Sequence, residues 1–344
     1  MVRLGFLGCG FMGQGVHLRN FLATGKCQAV ALAEARPRLA AAVAQRYGIA
    51  KVYASEMELA LDPNVDAVVA ITSEVLHRHF APTLLRAGKH LFIEKPLSTS
   101  LASAQEIVRA GQQGNAMLMV AYMKRCDPNV ERARKIISDA LADGSLGALT
   151  FATAIDLGGD WIAGYHTDNI TTDEKAPGAD PVYAEWLPKD LREPLRVFNN
   201  VFCHDINILR FLLQANEWRV DSARYDGKTW SVLMTLGNIP VVLNAGGWAG
   251  PWYEQTVVHF QKGRVEITFP APLDQQRASE VRVVRGSGQE EFFDGRAGYR
   301  GWPFYREAEH FLECVEQGKQ PVSSGADSVI DLEIVEGVFR HLSA

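Results

Sequence analysis

The chain has 344 residues, 47% of them hydrophobic, and a formal net charge of −5. That length suggests about two domains, the mild acidity gives no basic footprint for a nucleic acid, and no apolar run reaches the roughly 18 residues of a membrane helix. Five scattered cysteines (Cys9, Cys27, Cys126, Cys203, Cys314) without C-x-x-C spacing read as reduced thiols, and with no signal-peptide pattern at the start a cytoplasmic protein is expected.

Strand and helix patterns alternate through the first 121 residues. Apolar runs at 3–7, 29–33, 67–71, 90–93 and 117–121 predict strands, and patterns near 12–23, 37–47, 75–87 and 101–113 predict helices. Such alternation implies βαβ units and a parallel, doubly wound sheet, with ligand at the carboxyl ends of its strands. Gly10, Glu34, Thr72 and Lys95 all fall at or just after those ends.

The remainder reads differently. A helix is predicted near 128–142, then strands at 148–156, 218–225, 229–236, 240–246, 254–261, 264–268 and 280–285, then helices near 303–317 and 326–342. Short turns such as Asp226-Gly227 and Gly237-Asn238 indicate an antiparallel second sheet. The α/β chain therefore divides into a dinucleotide-binding domain, 1–122, and a substrate-binding and oligomerisation domain, 123–344, whose last helices return toward the first. Residues 157–199 interrupt the pattern with a polar, proline-bearing stretch rich in Asp, Trp and Tyr. A connection of that length is functional or disordered, and its aromatic residues argue for order.

The segment LGFLGCGFMG places Gly8, Gly10 and Gly13 in G-x-G-x-x-G spacing between a strand and a helix. Gly8 permits the tight turn, Gly10 lets backbone approach a pyrophosphate, and Gly13 lets helix pack on strand. Phe11 and Met12 fill the variable positions, and the helix start favours anionic phosphate. Glu34 ends the second strand, where a carboxylate accepts hydrogen bonds from the adenosine ribose and repels a 2′-phosphate. The expected cofactor is therefore NAD, with Arg36 and Arg38 keeping NADP open.

The glycine turn, the loop Ile71-Thr72-Ser73 with His77, the Ala87-Gly88-Lys89-His90 turn and Glu94-Lys95-Pro96 together resemble the Gfo/Idh/MocA oxidoreductases. The C-terminal stretch FLECVEQGKQPVSSGADSVIDLEIVEGVFRHL is similar to that family's C-terminus. The resemblance implies a Rossmann domain followed by an α/β domain with an open sheet. It also implies cofactor contacts from Thr72, Ser73, His77, Glu94 and Lys95, and a cis peptide before Pro96. Lys95 would touch both the nicotinamide end of the cofactor and the substrate hydroxyl.

In NNVFCHDINILRFLL, His204 matches the family's catalytic histidine, an apt proton carrier near neutral pH. The family's aspartate four residues earlier, on the same helix face, is here Asn200, and Asn207 stands where an acid is common. An amide cannot stabilise an imidazolium as a carboxylate would. Trp161, Tyr165, His166 and Arg196 are further expected substrate contacts, aromatic carbon beside polar groups being suited to a polyhydroxylated ring. Spaced metal ligands are absent from the sequence, so no metal is expected. The implied activity is hydride transfer between nicotinamide and a sugar, sugar derivative or cyclitol. A glycosidase that uses bound NAD and a dinucleotide-sensing regulator are the alternatives. Imperfect alternation in VVLNAGGWAG and YEQTVVHF leaves an apolar sheet face, so a homodimer or homotetramer is expected.

Overall fold

The computed structural model describes residues 1–294 and 298–343. The chain divides into two compact units. The first comprises Met1–Met123, His166–Ala184 and Phe304–Val329; the second comprises Lys124–Tyr165, Glu185–Pro303 and Ile330–Ala344. The single boundary expected at 122 thus meets a chain that returns twice to its first unit.

The first unit is a six-stranded sheet of β1 (Val2–Leu7), β2 (Cys27–Ala33), β3 (Lys51–Tyr53), β4 (Ala67–Ala70), β5 (His90–Ile93) and β6 (Leu118–Val120), in the order β3-β2-β1-β4-β5-β6. All five pairings are parallel. Strands of this kind are covered on both faces, which is why AVVA in β4 is apolar at every position and wholly buried. The helices are α1 (Arg19–Ala23), α2 (Pro37–Tyr47), α3 (Glu56–Leu61), α4 (His77–Arg86) and α5 (Leu101–Gln113). β3 and α3 have no counterpart among the predicted elements. KVY is too short to show a period, and a Ser55–Glu58 capping box starts the brief α3.

Helix α9 (Pro303–Gln317) supplies Phe311, which meets Phe21 and Phe92 edge-on at 5.9 and 5.5 Å between centroids. The edge of β6 is also taken from this late segment. The Val120 N–H donates to Ser323 O at 2.9 Å, and the Ser323 hydroxyl donates to Val120 O at 2.7 Å.

The second unit is built on α6 (Pro128–Asp143), α7 (Arg192–Val201), α8 (Cys203–Leu213) and an eight-stranded sheet. Its strands are β7 (Leu149–Asp160), β8 (Trp218–Tyr225), β9 (Thr229–Leu236), β10 (Ile239–Pro251), β11 (Tyr253–Phe260), β12 (Gly263–Phe269), β13 (Glu280–Arg285) and β14 (Glu290–Asp294), ordered β14-β13-β12-β11-β7-β10-β9-β8. β7 lies inside the sheet, parallel to β10 and antiparallel to β11, and every other pair is antiparallel. Alternation sets the faces: Ala152, Ala154, Val241, Leu243 and Val258 are buried, whereas Phe151, Leu233 and Tyr253 point the other way and are exposed.

α10 (Gly325–Leu342) brings Asp331 into the second unit. There its carboxylate accepts from Arg210 Nη1 at 2.7 Å and from Asn207 Nδ2 at 2.7 Å, with both charged side chains 1% exposed. Removing one member of a buried pair strands the other charge. Asp331→Ala is expected to lower the unfolding free energy by roughly 3–5 kcal/mol, measured by urea denaturation. A change near zero would show that Arg210 finds another partner.

Candidate active-site residues in the two units

The glycine turn has the geometry its spacing predicts. Gly8 has φ +85°, and a Cβ there would stand 2.4 Å from Ile71 O, closer than any side chain tolerates. A Cβ on Gly13 would stand 2.8 Å from Gly8 O. On Gly10 the same atom meets only Arg36 Nη2, at 3.9 Å, so backbone is left open where a pyrophosphate must approach. Met12 leads into a π-helical turn, Gly13–Leu18, which passes into α1, and Phe11 is exposed beside it. These residues fit a dinucleotide.

Glu34 is buried at the end of β2 and already engaged. It accepts from Cys9 N at 2.9 Å, Arg36 N at 3.1 Å, Arg36 Nε at 2.8 Å and Arg36 Nη2 at 2.9 Å. Burial opposes its ionisation, but the Arg36 guanidinium and these N–H donors hold its pKa below the usual carboxylate range. Arg36 is thus tied to Glu34 and is not presented separately to a phosphate.

At the next strand ends, Thr72 and Ser73 form the loop after β4, with Thr72 Cγ2 3.1 Å from where a Gly8 Cβ would be. His77 is wholly buried, its Nδ1 3.1 Å from Leu97 O, and burial lowers its pKa. Its imidazole therefore supports the loop after Pro96 from behind. Glu94 is likewise engaged: Oε1 lies 2.7 Å from His17 Nε2, and Oε2 accepts the Lys95 N–H at 2.9 Å. Burial opposes its charge, while His17 and Lys95 favour it and leave its pKa lowered. Beyond His17 stands Glu307, wholly buried, with Oε1 3.9 Å from His17 Nδ1 and a pKa raised by burial and by Glu94. The Lys95–Pro96 peptide is cis, as the resemblance implies.

In the second unit, His204 sits in the first turn of α8 and is 8% exposed. Asn200 is exposed near the end of α7. The two do not share one unbroken helix, because Phe202 interrupts it with φ −85° and ψ 0°. Arg196 is held by Glu193 on its own helix at 2.8 and 2.9 Å. Trp161 is exposed just past β7, and the Tyr165 ring lies 6.0 Å from Trp302. His166 belongs to the first unit, so the aromatic group expected from sequence divides between Tyr165 and His166.

Sequence reasoning passed over a buried ionic group in the second unit. Asp156 of β7, Asp205 of α8 and Glu254 of β11 bring ligand-capable oxygens within 4.8 Å of one another. Lys124 forms a close ion pair with Glu254, so an ammonium already serves this carboxylate cluster. Burial and the neighbouring carboxylates push the Asp156 pKa far up, and burial with Glu254 raises that of Asp205. The two act as a carboxyl pair that keeps a proton. The inward register of Ala152, Ala154 and Asp156, an acid in a core position, was the available signal.

Retained protons cost stability as pH rises. Above about pH 4 the unfolded chain releases them while the folded chain does not. Stability is therefore expected to fall from mildly acidic toward alkaline pH, and Asp156→Asn to flatten that fall. Thermal melts between about pH 5 and pH 9 check this; parallel profiles would acquit the pair.

Comparison with known proteins fits the geometry. Residues 2–122 match the model of an oxidoreductase family with an NAD-binding Rossmann fold. The chain is 26% identical to inositol 2-dehydrogenase of Rhizobium meliloti over 99% of its length and 97% of the relative. It is 24% identical to scyllo-inositol 2-dehydrogenase (NAD(+)) of Bacillus subtilis, over 97% and 92%. A 3-ketoreductase from Actinomadura kijaniata, solved with TDP-benzene and NADP, shares the fold with TM-score 0.73 and 21% identity over 98% of this chain and 96% of that one. The oxidoreductase family match and the inositol dehydrogenase relatives indicate a nicotinamide-dependent dehydrogenase acting on CH–OH groups. Residues 2–122 thus carry the nucleotide-binding domain of the Gfo/Idh/MocA oxidoreductases, and the chain as a whole is similar to dehydrogenases of nearly its own length. No helix among the described residues is long and apolar enough to cross a membrane.

Proposed function

We propose that this protein is an NAD(H)-preferring oxidoreductase of a sugar, sugar derivative or cyclitol. The observation that carries the reading is the open backbone at Gly10 beside a buried, ionised Glu34. The inositol dehydrogenases among its full-length relatives support a cyclitol or related polyol.

Bound nicotinamide supplies hydride exchange with the substrate carbon. Lys95 is assigned to the substrate oxygen, where an ammonium donates hydrogen bonds and favours the more negative oxygen. Its main-chain N–H is anchored on Glu94, and that carboxylate is in turn held by His17. His204 is assigned to the hydroxyl proton. Asn200 offers a donor and an acceptor to substrate but no charge to an imidazolium. Asp205, next to His204 in sequence, is buried among Asp156, Glu254 and Lys124 and does not replace the missing carboxylate.

Lys95→Ala is expected to lower kcat by at least about a hundredfold while dinucleotide binding persists. A panel of inositols, other polyols and aldoses, read at the reduced-nicotinamide absorbance, measures both substrate class and loss. Near-native kcat in the variant would remove Lys95 from the chemistry.

We further infer a homodimer, or a tetramer of such dimers, joined through the outward face of the second sheet. Phe151, Leu233 and Tyr253 are 39%, 43% and 41% exposed there, and Phe151 stacks on His259 at 4.1 Å. Exposed apolar groups gathered on one sheet face mark an interface. Light scattering at micromolar concentration is expected to give at least twice the chain mass; a 37.9 kDa particle would overturn the assembly.

A further inference from the structure

Residues 166–184 lie outside the sequence span of the nucleotide-binding fold yet belong to its unit. Their contacts follow the adenosine half of the expected cofactor site. Gln14, buried in the turn after the glycine loop, donates to Ile170 O at 3.0 Å and accepts the Ile170 N–H at 3.0 Å. Asn169 Nδ2 donates to Phe11 O at 3.0 Å. A Cβ on Gly15 would stand 2.9 Å from Thr167 Cγ2 and 3.1 Å from Asn169 Nδ2, so the segment packs closely on the helix at this glycine.

The segment then reaches the start of α2. This helix has no side-chain cap from its own N-cap residue, Arg36. The Glu174 carboxylate does that work from a distance in sequence: it accepts the Arg38 N–H at 3.1 Å and the Leu39 N–H at 3.0 Å. The Thr172 hydroxyl donates to it at 3.0 Å. The Arg38 guanidinium is paired with Asp173 and lies 3.5 Å from Glu174. Partial burial opposes ionisation of Glu174, but the two backbone donors hold its pKa below the ordinary range.

A 2′-phosphate on the adenosine ribose would need the groups at this turn: helix-start N–H donors and a nearby guanidinium. Here Glu174 takes the donors, Glu34 takes Arg36, and Asp173 with Glu174 takes Arg38. Three carboxylates meet two guanidinium groups, leaving a net negative turn for an incoming dianion to face. We propose that residues 166–184 form a specificity strap, and that Glu174 is a second determinant, beside Glu34, that excludes NADP(H) in favour of NAD(H). The inference rests on the reading of the glycine turn as the dinucleotide site.

The test is fluorescence titration of the full chain with NADH and NADPH, which reads binding without turnover. The native protein should bind NADH at least about tenfold more tightly, the scale of one charge-assisted hydrogen bond. Glu174→Gln should narrow that gap by about tenfold through tighter NADPH binding, and adding Arg38→Ala should cancel the gain. Arg38→Ala alone, which removes a positive charge from the turn and leaves the Glu174 carboxylate in place, should bring no gain in NADPH affinity. This arm holds even if the glutamine variant fails to fold. An unchanged ratio in Glu174→Gln, a native preference for NADPH, or tighter NADPH binding in Arg38→Ala alone would each overturn the strap's role. Binding of neither nucleotide would overturn the dinucleotide reading itself, and the inference with it.

Discussion

The close approach of two main chains at Gly8 is the constraint on which the first unit's chemistry depends. With a Cβ position 2.4 Å from Ile71 O, β1 and the end of β4 can meet only if residue 8 lacks a side chain. That contact sets the turn, the turn aims the helix start, and the helix start places Gly10 and Gln14. Because the sheet is parallel, the ends of β2, β4 and β5 then lie along the same edge. Glu34, Thr72 and Lys95 are consequences of that geometry.

Both units bury charge, and each compensates it locally. In the first, a raised Glu307 and a lowered Glu94 flank His17, so one carboxyl holds its proton and the other is ionised beside the imidazole. In the second, Lys124 faces Glu254 while Asp156 and Asp205 share a retained proton. A buried ion without such partners would cost several kcal/mol. One departure from the pattern of the resembled family is tied to a third buried ion pair. Asn207, in place of a common acid, donates to Asp331, whose other oxygen is bound to Arg210. An aspartate at 207 would set two carboxylates against each other, so the amide is explained by its partner.

Much of the fold was legible because it rests on local pattern. Parallel strands are short apolar runs, and the antiparallel strands of the second sheet alternate along Trp230, Val232, Met234 and Leu236. Local pattern failed where contacts are distant in sequence. The break at Phe202 is invisible in a run that keeps helical character on both sides. Asp205 is one polar residue within a helical run, and only the fold brings Asp156 and Glu254 to it. The complete burial of His77 likewise has no direct sign in the sequence. Nothing in the spacing of the aromatic residues of 157–199 shows that 166–184 joins the first unit.

The edge of β6 has a consequence for how this molecule is made. Its hydrogen-bonding groups are met by Ser323, some two hundred positions later on the chain, and Phe311 fills the aromatic cluster from the same late stretch. During synthesis, the nucleotide-binding sheet must wait with an uncovered border until the stretch around Ser323 has been made. A fragment ending near Met123 would keep that border permanently and pair it with other copies. The span of the family match, 2–122, and the set of residues that completes the nucleotide-binding unit are therefore different objects here.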